Sequence, residues 1–116
     1  MVKLESLKKS DQFRKALREK KIHTDYFSIF AAKNFFTAKH KTNLLISFII
    51  KKKIGNAVKR NKIRRKLKAI VQKLLKKKSA INKDYTYIVF GKSNAYAQKH
   101  DVLLPLMEKS FSKLKK

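Results

Sequence analysis

The sequence predicts a small α+β domain in which helices pack on a twisted mixed sheet. Two observations lead to this prediction. Three segments are dominated by the aromatic and β-branched residues that favour strands, whereas other segments repeat apolar residues at the helical spacing of three and four. The chain has 116 residues, which is the size of one domain. We therefore expect residues 1–116 to form a single domain.

The first half of the chain contains one predicted helix and two predicted strands. A helix is expected over residues 10–21, because Ser10 suits the N-cap and apolar residues follow it at helical spacing. Residues 26–33 and 44–52 are expected to be strands. Alternation along the second of these strands predicts one face formed by Leu44, Ile46, Phe48 and Ile50, and an opposite face formed by Leu45, Ser47, Ile49 and Lys51.

The second half begins where Gly55 and Asn56 interrupt the strand pattern. Asn56 is a suitable N-cap for a long helix that extends to about Lys77. Residues 84–90 form a strand that is apolar on both faces, so it should be central in the sheet. A last helix is expected from an N-cap at Asp101 to about Leu114, with Pro105 in its first turn.

We also expect a short strand between the first helix and the other strands. The predicted order is then α-β-β-β-α-β-α, with about four strands and three helices. The strand, helix and strand within residues 44–90 are long enough to form a parallel crossover.

Charge identifies the class of partner. The chain carries 32 Lys and Arg residues against 7 Asp and Glu residues, so its formal net charge is +25. No acidic residue lies between Asp25 and Asp84. So strong a positive charge on so small a domain indicates a polyanionic partner, and nucleic acid is the first candidate. The same charge argues against a metabolic enzyme that works without a polyanionic partner.

Several other classes of protein are excluded by what the sequence lacks. There is no cysteine, so neither a disulfide framework nor a thiolate zinc site is available. No apolar run approaches the length of a membrane span, and no secretory signal is visible at the N-terminus. His23, His40 and His100 are expected on surface loops, and the acidic residues form no close pair. We therefore predict no catalytic side chain and no metal bound by the protein.

The long basic helix places two arginines beside its apolar stripe. Arg60 and Arg64 lie on the flank of that stripe, a poor position for arginine if the whole helix packs on the sheet. We therefore expect the first two turns to project past the core, so that Arg60, Asn61 and Arg64 line the edge of a groove. The planar arginine and amide groups suit bidentate contacts with phosphates and base edges. The simpler alternative is a solvated basic helix without a particular site.

Aromatic residues near lysines suggest a second contact surface. Single-stranded nucleic acid binds to positively charged grooves in which bases stack on aromatic rings. Phe13 and Phe30, beside Lys51 and Lys52, fit that pattern, and both fit an ordinary core equally well. The remaining aromatic residues that we assign to the core are Phe48, Tyr85, Tyr87 and Phe90.

Residues 52–65, KKIGNAVKRNKIRR, resemble the signature of the bacterial ribonuclease P protein subunit. That family has a strand ending in a lysine-rich turn, then Gly-Asn-Ala-Val, then a helix with an Arg-Asn-Arg run. Residues 7–13 resemble the family's first helix and residues 84–89 its last strand, so the resemblance covers nearly the whole chain. The sequence departs from the common pattern at Ser47, Lys51, Lys62 and Leu17, and no arginine follows Gly91.

The resemblance implies a specific function. The family's protein binds a catalytic RNA subunit, and together they remove the 5′ leader from precursor tRNA, using Mg²⁺ held mainly by the RNA. It also implies a left-handed crossover, against the general preference for a right-handed one. We therefore expect a cytoplasmic protein, one monomer per RNA.

The resemblance also implies the residues of two RNA-binding sites. The RNA subunit would be contacted by Lys52, Lys53, Asn56, Arg60, Asn61, Lys62, Arg64, Arg65 and Lys68. The leader would lie in a cleft formed by Phe13, Leu17, Ser28, Phe30, Ser47, Ile49 and Lys51. The alternative function is that of a structural RNA-binding protein, of the ribosomal type, with no role in cleavage.

Overall fold

A computed structural model describes residues 4–5, 14, 17, 20–33, 44–76, 81 and 85–114. Its centre is a mixed sheet with five strands: β1 (Leu4–Glu5), β2 (Lys20–His23), β3 (Phe27–Lys33), β4 (Leu44–Ile50) and β5 (Tyr85–Gly91). The strand order is β1-β4-β5-β3-β2. Because β5 is paired with β4 on one edge and with β3 on the other, it is a central strand of the sheet, as the sequence predicts.

The sheet combines both strand directions. β4 pairs in parallel with β5 and with the two-residue β1, whereas β3 pairs antiparallel with β5 and β2. The connection from β4 to β5 is therefore a parallel crossover through a helix, as the sequence predicts. Its left-handedness stays a prediction.

The crossover helix, α1, spans Ala57–Leu75. The side chain of Asn56 caps it, because its Oδ1 accepts a hydrogen bond of 2.9 Å from the backbone N of Lys59. A short 3₁₀ helix, Lys52–Ile54, precedes this cap. The apolar stripe packs from Ile63 onward, and Ile63 is fully buried. Only the first turn therefore lies beyond the core, and the prediction that two turns project past it is wrong.

The last helix, α2, spans His100–Leu114. It begins one residue before the predicted N-cap, so Asp101 lies in its first turn, where a carboxylate favours the helix dipole. Pro105 consequently lies inside the helix and not in its first turn. A 3₁₀ helix that the sequence did not predict, Ser93–Ala95, connects β5 towards α2.

The predicted first helix is only partly within the described residues. Arg14 is helical and Leu17 lies in a turn, but Lys20 and Lys21 belong to β2. The helix therefore cannot extend to residue 21 as predicted. His23 is exposed as expected, but it lies at the end of β2 and not on a loop.

The two faces of the sheet have different partners. One face, with Phe27, Ile29, Ile46, Tyr87 and Val89, packs with both helices in the main hydrophobic core. Alternation places a second, small cluster on the opposite face, where Ala32 and Ile88 are buried together with partly buried Phe30, Ile49 and Phe90. The candidate site lies on this second face.

Candidate nucleic-acid interface

Strand register brings four of the predicted cleft residues onto one face of the sheet. Ser28 is paired with Phe90, and Phe90 with Ile49 on its other side. In the adjacent row, Ile88 lies between Phe30 and Ser47. Directly paired residues share a face, so Ser28, Phe30, Ser47 and Ile49 all lie on the face opposite the helices.

A cavity of about 440 Å³ lies at one end of this face. Its walls come from the ends of β2, β3 and β5 and from the 3₁₀ helix that follows β4. The lining residues are His23, Ser28, Phe30, Lys51, Lys53, Ile54, Phe90, Gly91, Lys92 and Ser93. We call this space the sheet cavity.

The aromatic wall of the sheet cavity has a fixed geometry. The ring of Phe30 meets that of Phe90 edge-on, with centroids 5.4 Å apart and planes at 81°. On its other side Phe30 contacts His23 in the same way, at 5.7 Å and 81°. Such edge-to-face pairs hold the rings in place and stabilise them beyond simple burial.

The sheet cavity is also lined by cationic side chains. These are Lys51, Lys53 and Lys92, and none of the described residues that line the cavity is acidic. The ammonium of Lys92 also donates a hydrogen bond of 2.6 Å to the carbonyl oxygen of Thr24, which ties the end of β5 to the β2–β3 turn. The arrangement of positive charge beside aromatic rings matches what single-stranded nucleic acid needs.

The β2–β3 turn is held by the side chain of Thr24. Its Oγ1 accepts hydrogen bonds from the backbone N of Tyr26 and of Phe27, at 3.2 and 3.1 Å. This local closure is typical of threonine in turns. It sets His23 directly opposite Ser28 across the hairpin.

Three further predicted cleft residues, Ser47, Ile49 and Leu17, are described and do not line the cavity. Ser47 and Ile49 are on the correct face but do not line it. Leu17 is 39% exposed, and Phe13 is outside the described residues. Six lining residues were not predicted for the cleft, namely His23, Ile54, Phe90, Gly91, Lys92 and Ser93. Phe90 was assigned to the core, and Lys53 to the other surface. Alternation in β5 could have placed Phe90 on the face of Ile88, opposite Val89.

The second predicted surface lies on α1. Asn61, Lys62, Arg65 and Lys68 are exposed, and Arg60 and Arg64 are half-buried. The Nε of Arg60 donates to the carbonyl oxygen of Gly55 at 3.2 Å, and Arg64 donates to Asn61 Oδ1 at 2.8 Å. These residues do not line the sheet cavity. Lys52 and Asn56 are exposed beside the start of the helix.

The flank of α1 contacts the segment after β5. The Nζ atoms of Lys59 and Lys62 lie 5.2 and 4.9 Å from the ring centroid of Tyr96. Lys66 donates to three carbonyl oxygens, those of Ala95, Tyr96 and Gln98, at 3.1, 2.9 and 2.7 Å. Burial, and secondly the charge of Lys62, lowers the pKa of Lys66 from its usual value. This lysine fixes the segment against the helix.

Among the described residues, no group of three or more His, Asp or Glu side chains is placed to hold a metal ion. None of the helices in that part of the chain is long and apolar enough to cross a membrane.

Comparisons with known proteins agree with this fold. A family model described as Ribonuclease P matches residues 1–115. No curated protein matches the chain.

Two solved structures give the extent of the structural likeness. The RNase P protein of Staphylococcus aureus is 21% identical, with a TM-score of 0.70 over 96% of this chain and 94% of that chain. The RNase P protein of Thermotoga maritima is 22% identical, with a TM-score of 0.65 over 90% of this chain and 96% of that chain.

Proposed function

Because the chain belongs to the ribonuclease P protein family, we propose that it binds two RNAs: the RNA subunit of ribonuclease P and the 5′ leader of precursor tRNA. In this proposal the protein assists the endonucleolytic removal of the leader, which gives the mature 5′ end of the tRNA. The two RNAs occupy two surfaces of the protein that meet at the turn between β4 and α1.

The observation that carries the leader proposal is the composition of the sheet cavity. Phe30 and Phe90 offer aromatic surface, and Lys51, Lys53 and Lys92 supply positive charge within the same walls. Stacking of a base on an aromatic side chain contributes roughly 1–3 kcal/mol and tolerates any base. That tolerance suits a leader whose sequence differs from one tRNA to another.

The RNA subunit is assigned to α1 and the turn before it. The exposed cations Lys62, Arg65 and Lys68 share the solvent side of the helix with Asn61. Arg64 is oriented by its bond to Asn61. An array of cations on one rigid helix suits the phosphates of a folded RNA, because the contacts depend on backbone geometry and not on sequence.

Cleavage itself is assigned to the RNA subunit with Mg²⁺ that the RNA mainly holds. The described carboxylates do not form the cluster that a two-metal protein nuclease requires. We further propose one protein monomer per RNA subunit and a cytoplasmic location.

Phe30→Ala tests the leader surface. The holoenzyme containing this variant should bind precursor tRNA about 1–3 kcal/mol more weakly, because a stacking platform is lost. Binding of mature tRNA, which has no leader, should not change. Equal weakening of both tRNAs by a variant with a native circular dichroism spectrum would show that Phe30 serves the fold and that the leader lies elsewhere.

Arg65→Ala is the complementary variant, on the exposed side of α1. It should weaken assembly with the RNA subunit and lower the slope of log K against log salt by about one unit, because one phosphate contact is removed. Phe30→Ala should leave both quantities unchanged. If the chain were instead a structural RNA-binding protein without a role in cleavage, omitting it from the reaction would not change the rate of leader removal at low Mg²⁺.

A further inference from the structure

His23 occupies a wall of the sheet cavity in a fixed orientation. Its Nδ1 lies 2.7 Å from the Oγ of Ser28, a residue that is only 6% exposed. The edge-to-face contact with Phe30 restrains the ring from a second direction. The side chain as a whole is nevertheless exposed. The imidazole is therefore held by the protein and accessible to a ligand in the cavity.

The hydrogen bond to Ser28 determines what the ring can offer. With Nδ1 occupied by Ser28, Nε2 is on the opposite side of the imidazole. In the neutral ring that keeps its proton on Nε2, this atom is a neutral donor. Protonation makes both nitrogens donors, so that Nδ1–H bonds to Ser28 Oγ while Nε2–H carries part of a positive charge. Hydrogen bonds from a charged donor to a phosphate are about twice as strong as neutral ones.

We propose that His23 binds a phosphate of the leader and that protonation strengthens this contact. The inference rests on the proposed function of the sheet cavity, and it adds a residue that the family signature does not contain. It makes leader binding, unlike assembly with the RNA subunit, dependent on pH.

The charged groups around His23 come from several elements. Lys51 and Lys53, before α1, and Lys92, after β5, line the sheet cavity with it. On the other side of the hairpin, His23 also lines a groove with Asp25 of the turn and Lys109 and Lys113 of α2. A phosphate placed among these groups stabilises a positive imidazole, so proton uptake and leader binding are linked.

The test measures the ratio of the dissociation constants of mature and precursor tRNA, because that ratio isolates the leader. Holoenzyme is titrated between about pH 5.5 and 8, the range in which histidine changes its charge, under conditions in which cleavage is slow compared with binding. For the natural sequence we expect the ratio to rise roughly three- to tenfold from the highest to the lowest pH, as one charged contact is added.

Three variants complete the design. His23→Gln keeps a hydrogen-bonding side chain but cannot gain charge, so its ratio should be independent of pH. His23→Lys carries a permanent charge and should show the high ratio at every pH. His100→Gln, at the start of α2 and outside the sheet cavity, should behave like the natural sequence.

The outcomes separate the two proposals. The role of His23 would be overturned, and leader binding left intact, by either of two results. The ratio could stay above one without varying with pH, or it could rise with falling pH as much in His23→Gln as in the natural sequence. A ratio of one at every pH would overturn leader binding in the cavity itself, and the inference with it.

Discussion

Gly91 is the residue at which the sheet, the crossover helix and the sheet cavity meet. It ends β5 and is buried. A Cβ added there would collide with the side chain of Ile50 and would lie 2.8 Å from Ile63 Cγ2 and 3.1 Å from Leu67 Cδ1. The absence of a side chain therefore lets α1 pack closely on the sheet, immediately behind the cavity.

Gly91→Ala should destabilise the protein by about 1–3 kcal/mol, because three core side chains must shift to admit one methyl group. Urea denaturation followed by circular dichroism measures this change. Gly55→Ala is the matched control: its Cβ would meet only the flexible side chain of Lys59, at 2.8 Å. If the two variants unfolded at similar urea concentrations, the tight packing at Gly91 would be contradicted.

At the scale of elements, lysine side chains join segments that are distant in sequence. Lys66 holds the segment after β5 through three carbonyl oxygens. Lys20 connects β2 to Tyr85 Oη and to the carbonyl oxygen of Leu114 at the end of α2, both at 3.1 Å. With only 7 acidic residues in the chain, backbone carbonyls are the abundant acceptors for these ammonium groups. Part of the positive charge therefore serves the fold.

The start of α1 gives an element-scale prediction. Asn56→Ala removes the acceptor for the backbone N of Lys59 and should cost about 0.5–2 kcal/mol of stability. Asn61→Ala, which affects an exposed side chain further along the same helix, should change stability by less than about 0.5 kcal/mol. Thermal unfolding of both variants measures the difference. If the two are equally stable, Asn56 does not act as the N-cap.

The long elements were predictable from sequence because each carries its own pattern. The apolar stripe of α1 correctly predicted the face that the helix buries, and the alternation in β4 correctly predicted which residues share each face of the strand. Asn56 correctly indicated where α1 begins. β2 was not located, because its four residues, KKIH, are too few to show alternation. The cavity wall formed by His23, Phe90 and Lys92 depends on pairing between distant strands, which no local pattern encodes.

At the scale of the whole molecule, charge opposes the fold. A formal net charge of +25 on a body with a radius of gyration of 13.3 Å repels itself at low salt. Polyanions remove this repulsion when they bind the native state, and they stabilise it by mass action. The free protein should therefore be less stable than its packing alone would suggest.

Millimolar phosphate, sulfate or a short oligonucleotide should raise the melting temperature and the helix content of the free protein. Sodium chloride at the same ionic strength is the control, because it screens charge without placing a multivalent anion on the surface. An equal effect of chloride and sulfate would mean that screening suffices. No effect of any anion would contradict the role assigned to self-repulsion.

The turn between β4 and α1 belongs to both proposed RNA surfaces. Lys51, Lys53 and Ile54 line the sheet cavity, while the carbonyl of Gly55 holds Arg60 and Asn56 caps the helix. If the RNA subunit orders this turn further, it lowers the entropy that leader binding must still remove. Thermodynamic reciprocity then requires that the RNA subunit raise the affinity for the leader by the same factor as the leader raises the affinity for the RNA subunit. On this basis the enzyme would hold its protein most firmly while its substrate is still uncut, and less firmly once the leader has gone.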